Sequence, residues 1–317
     1  MSISNYIKEI GRGKEGARSL DAAQAHDLMG KVLDGHVSDL ELGAFAMAMR
    51  IKGETVDEMA GFLKATVERC IPIAAPRTVV VLPSYNGARK LPNLTPLLAL
   101  MLAQENVPVL VHGMPEDPSR VTTADIFHDL GLPVARSADE VTQAWKRREP
   151  VFIRTDVLCP PLARLLDARW TIGLRNSGHT VAKLLDPCQA GAALRVVNYT
   201  HPEYGSMLTD FLQHTTANAM LMRGTEGEPV ADPRRAPKLD IFIDGKLRTD
   251  LARPAQDGVL RELPVLPRTC DATTTAMYIQ SVISGEKPAP APLSQQVELL
   301  LESLAVLAHE HPLEISA

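Results

Sequence analysis

The densest set of reactive polar residues in this chain of 317 is the stretch Pro83 to Lys90, PSYNGARK. It follows an apolar run and carries Ser84, Tyr85, Asn86, Gly87, Arg89 and Lys90. With Pro115 to Arg120, which adds Ser119 and Arg120, it could form a site for a phosphate group. His112 and Gly113 lie between the two; a histidine that closes a strand is more often structural than catalytic. A third group, Gly224-Thr225-Glu226-Gly227-Glu228, brings carboxylates. A fourth comprises Arg169, Trp170, Arg175, Asn176, Gly178, His179 and Lys183. Arg89, Lys90, Arg120, Arg169, Arg175 and Lys183 are the cations suited to a phosphate backbone, by contacts that ignore base sequence and weaken with salt. Tyr85 and Trp170 would stack on bases if exposed, although aromatics are only 4% of the chain and more often belong to the core. Lys8, Arg12, Lys14 and Arg18 form another basic stretch. Its Gly-x-Gly-Lys lacks both a preceding strand and a following Ser or Thr, so a solvated helix end is expected rather than a phosphate loop.

Apolar periodicity predicts the elements that hold these groups. Ala22 to Leu33 has helical spacing and stops at Gly35. Ser38 with Glu41, and Thr55 with Glu58, are capping-box patterns opening two further helices. After Pro72 the texture changes. Thr78 to Leu82 and Val107 to Val111 read as buried strands, followed by Val151–Arg154, Leu194–Val197, Ala219–Met222 and Leu239–Ile243. Thr95 and Pro96 signal a helix start, Gly224 to Pro237 a long loop, and Ala272–Ser284 and Leu293–His309 two late helices. The pattern predicts an α/β fold: a small helical N-terminal domain over residues 1–73, then a larger domain over 74–317. The larger domain has a mainly parallel sheet flanked by helices, with ligands expected at the carboxyl ends of its strands.

Bulk properties narrow the function classes. Thirty-three Lys and Arg against 38 Asp and Glu leave a formal charge of -5, with no general attraction to polyanions or membranes. Cys70, Cys159, Cys188 and Cys270 lack metal-ligand spacing and suggest reduced thiols rather than a disulfide framework. There is no signal-like N-terminus and no apolar run of membrane-spanning length, so a cytoplasmic protein is expected, with no membrane partner.

The segment Met29 to Phe62, and within it Ala48-Met49-Arg50-Ile51-Lys52-Gly53-Glu54-Thr55, resembles the N-terminal region of anthranilate phosphoribosyltransferase. The likeness continues, in order, through His112-Gly113, Arg169 to Pro187 and Gly224 to Gly227. It implies that helices from about 160–187 join the small domain, that the chain forms a homodimer through that domain, and that Arg169 falls where the enzymes contact anthranilate. Asn93, Thr95 and Asp125 match the family's pattern. The ligand motifs depart from it. The family's Gly-Thr-Gly-Gly-Asp loop is Pro83 to Gly87, where proline removes a donor and one glycine remains. Its Lys-His-Gly-Asn-Arg is Val111 to Pro115, followed by acidic Glu116 and Asp117. Its magnesium-binding Asp-Glu pair falls on Pro229 and Val230, which offer no side-chain ligand. The resemblance therefore implies a degenerate substrate cleft made of Pro83, Ser84, Tyr85, Asn86, Gly87, Asn93, Thr95, His112, Gly113 and Ser119. No catalytic residue, metal or cofactor is expected.

PSYNGARK and Arg169-Trp170 through His179 are similar to the YbiB-type branch of the family, which implies nucleic-acid binding, DNA foremost. The alternative is phosphoribosyl or glycosyl transfer to an acceptor other than anthranilate.

Overall fold

The computed structural model describes residues 2–13, 15–189 and 193–311; Lys14 of the N-terminal basic stretch lies outside them. The chain divides into two compact units. One comprises residues 1–71 and 155–187, the other residues 72–154 and 188–317.

The helical unit contains α1 (Ser4–Ile10), α2 (Ala22–Leu33), α3 (Asp39–Lys52) and α4 (Val56–Val67). After the sequence's excursion through β1 (Val79–Ser84), α5 (Thr95–Gln104), β2 (Val109–Gly113), α6 (Thr123–Asp129), β3 (Val134–Ala135), α7 (Ala138–Lys146) and β4 (Val151–Arg154), the unit resumes. It ends with α8 (Thr155–Leu158), α9 (Pro160–Ile172) and α10 (Ser177–Leu184). Capping boxes open α2, α3 and α4, on Asp21 with Gln24, Ser38 with Glu41, and Thr55 with Glu58. Each satisfies amides that a helix start otherwise leaves open. Phe45 of α3 and Phe62 of α4 meet edge to face, 5.9 Å between ring centres. Glu58 is buried: besides capping α4, it accepts Leu20 N (2.9 Å) and pairs with Lys52 Nζ (2.6 Å).

The α/β unit is completed by β5 (Ala193–Tyr199), α11 (Glu203–His214), β6 (Ala219–Arg223), β7 (Leu239–Ile243), β8 (Lys246–Leu247), α12 (Ala272–Ile283) and α13 (Ala291–Glu310). Its sheet has the order β3-β4-β2-β1-β5-β6-β7-β8. The run from β3 to β6 is parallel, and β7 and β8 are antiparallel. Val80, Leu82, Val111, Phe152 and Val196 of the sheet pack with Leu97, Phe127, Ile279 and Leu300 of the helices. No helix among the described residues is long and apolar enough to cross a membrane.

Three expectations need correction. The N-terminal segment holds α1 in addition to the three expected helices. The first strand does not stop before Pro83: Pro83 and Ser84 pair with His112 and Gly113. Proline is tolerated there because alternate backbone groups of a strand face opposite neighbours, and the ladder needs no donor at that position. Thr95 begins α5 without capping it, and its hydroxyl is engaged elsewhere.

Candidate functional site

The carboxyl ends of β1, β2 and β6 carry the first cluster. β6 leads into a tight turn, Thr225 to Glu228, closed by a hydrogen bond from Glu228 N to Thr225 O at 3.0 Å. Glu226 (φ 53°) and Gly227 (φ 89°) both adopt the left-handed conformation at the turn's centre, and glycine supplies the second of these without steric cost. This geometry turns two carboxylates toward the loop that follows β1. Glu228 is only 1% exposed. Its carboxylate accepts Asn86 N at 2.8 Å and Gly87 N at 2.7 Å, together with the Ser84 hydroxyl and, at 3.5 Å, that of Thr95. Glu226 accepts Lys90 N at 2.8 Å and Leu91 N at 2.9 Å, with Arg89 N at 3.3 Å. Gly87 makes this loop possible: it has φ +67°, and a Cβ would lie 3.0 Å from Val121 O.

A polar chain supports the carboxylate. Asn93 Nδ2 donates to Thr123 Oγ1 at 2.9 Å, and Ser84 and Thr123 share a 2.7 Å bond. With the Ser84 proton committed to Glu228, Thr123 is the donor in that bond, so each hydroxyl polarises the next. Asn93 Oδ1 receives Thr95 N at 3.1 Å. The backbone amides of this loop thus hold internal carboxylates.

Other expected cleft residues have quieter roles. Tyr85 is 4% exposed and shares a 2.8 Å hydrogen bond with His112 Nδ1, which removes it as a stacking platform. Gly113 lies in β2, paired with Ser84. Ser119 sits on an exposed turn, its amide and hydroxyl both directed at Asp117. Arg89 and Lys90 are exposed, and Arg120 Nη1 donates to Gly87 O at 3.2 Å. Thr123 belongs to no motif of the sequence, and Glu228 stands there only as a carboxylate that a one-residue shift would bring near the family's magnesium position without restoring a pair.

Magnesium does not fit the positions the family uses for it. Pro229 and Val230 carry no ligating side chain, Val230 is buried in the core, and Pro229 O accepts Gln296 Nε2 at 3.1 Å. Both Glu228 oxygens already accept N–H or O–H donors, so the neighbouring carboxylate is spent on the loop.

The second cluster lies in the helical unit, around α10. Asn176 caps this helix, its side chain accepting Gly178 N at 3.0 Å, and His179 lies in the first turn. Burial first, then the charges of Arg175, Arg169 and Lys183, push the imidazole down to about 3. Three predicted cations thus lie near enough to His179 for their charges to lower its proton affinity. Beside them Trp170 is 54% exposed, with the Arg169 guanidinium 3.9 Å over its ring. Arg89, Lys90 and Arg120 belong to the α/β unit, so each unit carries its own basic group.

A unit with a mainly parallel sheet and a unit that is a discontinuous helical bundle together define the anthranilate phosphoribosyltransferase class of fold. Residues 4–70 match the helical bundle domain of the glycosyl transferase family. The crystal structure of anthranilate phosphoribosyltransferase (TrpD) from Thermus thermophilus superposes with a TM-score of 0.72 at 21% identity, over 97% of this chain and 90% of that one. The Saccharomyces cerevisiae enzyme in complex with PRPP and Mg gives 0.65 at 11% identity, over 97% and 96%. Among sequences, anthranilate phosphoribosyltransferase of Symbiobacterium thermophilum is 28% identical over 309 residues, 95% of this chain and 86% of the relative. Protein YbiB of Escherichia coli (strain K12) is 41% identical over 304 residues, 95% of this chain and 94% of the relative. The chain belongs to the YbiB family, a paralogous branch of the anthranilate phosphoribosyltransferase-like proteins.

Proposed function

We propose that this protein is a cytoplasmic nucleic-acid-binding homodimer that has given up phosphoribosyl transfer. The observation that carries the reading is the Arg169 guanidinium lying 3.9 Å over the ring of the exposed Trp170, on the stretch of chain that also carries Arg175 and Lys183. Cations of this kind track a phosphate backbone, and an exposed indole gives any base a stacking face. Arg89 and Lys90 extend the reading to the α/β unit, where their side chains are exposed while their amides are held by Glu226. Transfer to a different acceptor has less support, because the amides it would need for pyrophosphate are held by Glu226 and Glu228.

The dimer is proposed to form on α3. Leu40, Ala44, Met47 and Ile51 recur at helical spacing, with Leu40 84% and Ile51 60% exposed. Alongside, Val32, Leu42, Leu165 and Ile172 line a groove of about 580 Å³ within the same unit. An apolar stripe of this kind marks an interaction surface.

The test is fluorescence anisotropy of labelled single- and double-stranded oligonucleotides at low salt. The reading expects saturable binding of either, largely independent of base sequence, weakened by R169E/R175E. No binding at low salt would overturn it. A calorimetric titration with phosphoribosyl pyrophosphate and magnesium, expected to be flat, separates the transferase alternative.

A further inference from the structure

Two of the four cysteines meet inside the helical unit. Cys70 lies just beyond the end of α4, and Cys159 immediately precedes Pro160, the first residue of α9. Cys70 Sγ donates to Thr66 O at 3.3 Å, and Cys159 Sγ lies 3.8 Å from the same carbonyl. Both sulfurs therefore face one backbone oxygen. One residue away, Ile71 N donates to Leu158 O at 2.9 Å, so the backbones carrying the two sulfurs are tied together. We propose that Cys70 and Cys159 form a reversible disulfide, made by a peroxide and undone by a thiol reductant.

The surroundings divide the roles. The hydrogen bond from Cys70 favours the Cys159 thiolate, burial opposes it, and the Leu162 amide, Arg69 and Arg164 favour it further; the net direction is downward from the usual thiol range. Cys70 is pushed the other way, by its bond to Cys159 and by burial, and keeps its proton. A thiolate at a helix N-terminus beside arginines is the reactive form of cysteine. Cys159 is fully buried and Cys70 partly exposed, so peroxide would enter past Cys70; the Cys159 thiolate then attacks one peroxide oxygen, the O–O bond breaks, and the departing hydroxide takes up a proton as water. The resulting sulfenic acid is attacked by the Cys70 sulfur, whose proton leaves with the hydroxyl as a second water. Two thiols and one hydrogen peroxide thus give one disulfide and two waters. The bond would join the 1–71 and 155–187 segments, the two pieces of chain from which the unit is built.

The test uses the full-length protein, reduced and then exposed to hydrogen peroxide, followed by intact mass measurement and peptide mapping after alkylation. Expected is a mass lower by two hydrogens, a linked pair of peptides containing positions 70 and 159, reversal by dithiothreitol, and a thermal midpoint several degrees higher in the oxidised form (~4 °C or more for a gain of about 1 kcal/mol in a domain of this size). In C70S, Cys159 should instead gain oxygen or stay reduced, with no link to another cysteine. Oxygen addition without a linked peptide in the wild type, a link through Cys188 or Cys270, or a lowered midpoint on oxidation would each overturn the proposal.

Discussion

Glu228 is the residue on which the loop after β1 closes. Two amides and two hydroxyls converge on it, and a buried carboxylate with such donors is a stable arrangement only while the charge remains. E228Q should lose about 1–3 kcal/mol in urea unfolding, since its amide turns a donor toward donors. E228A should lose a similar amount and gain measurable calorimetric binding of pyrophosphate, for which the unaltered protein should give a flat titration. A flat trace in E228A as well would mean that the loop no longer accepts an external anion even when emptied. The role of this residue was not legible in the sequence. Its partners lie about 140 positions away, and the motif pattern marks Pro229 and Val230 as missing ligands without showing what Glu228 binds. His179 illustrates the same limit: it stands among the three cations in the sequence, but only packing buries it there. Its folded pKa of about 3 lies below the usual histidine range. The unfolded chain therefore binds the extra proton first, and stability present above about pH 6.5 falls as the pH drops toward 3, by up to about 1.4 kcal/mol per unit. H179Q should flatten that part of the stability–pH curve.

Helix ends were the most legible elements, because a capping box is a local device written within four residues. Ser38 with Glu41 and Thr55 with Glu58 were readable for that reason, and the alternating strand and helix texture after Pro72 gave the parallel sheet. Strand ends were less so: β1 runs on through Pro83 and Ser84 because its register with β2, a non-local pairing, demands it. Glu58 joins the local and the non-local, as it caps α4, receives the Leu20 amide ahead of α2 and pairs with Lys52 at the end of α3. K52M should cost about 3–5 kcal/mol by chemical denaturation, because it strands a buried carboxylate. A loss below about 1 kcal/mol would show that water reaches the site. At the two ends of α3, Leu40 and Ile51 are mostly solvent-facing and bury little in the fold of their own chain, at 84% and 60% exposed. L40D/I51D should therefore leave the unfolding midpoint of the monomer almost unchanged while shifting sedimentation from dimer to monomer. A dimer that survives both changes would place the interface elsewhere.

At the scale of the whole molecule the net charge of -5 works against any polyanion, so binding depends on where the cations are rather than how many there are. Three sit around His179 and three more on the loops after β1 and β2. Each phosphate neutralised contributes roughly -0.7 to -0.9 to the slope of log affinity against log salt, the lower figure for single strands. If one group of three engages, the slope should be roughly -2 to -3; if both do, roughly -4 to -5, equivalent to about a thousandfold loss between 50 and 200 mM salt. Charge reversal separates the contributions. R169E/R175E/K183E should lower the steepness by about 2 to 3 if the helical unit binds, and R89E/K90E/R120E should do the same if the α/β unit binds. W170A should act differently: lost stacking weakens affinity by about 1–3 kcal/mol while leaving the salt slope in place, because no phosphate contact goes with it. A slope that neither triple variant changes would mean that nucleic acid, if bound at all, is held by some other surface, and the acidic balance of the chain leaves few candidates for one.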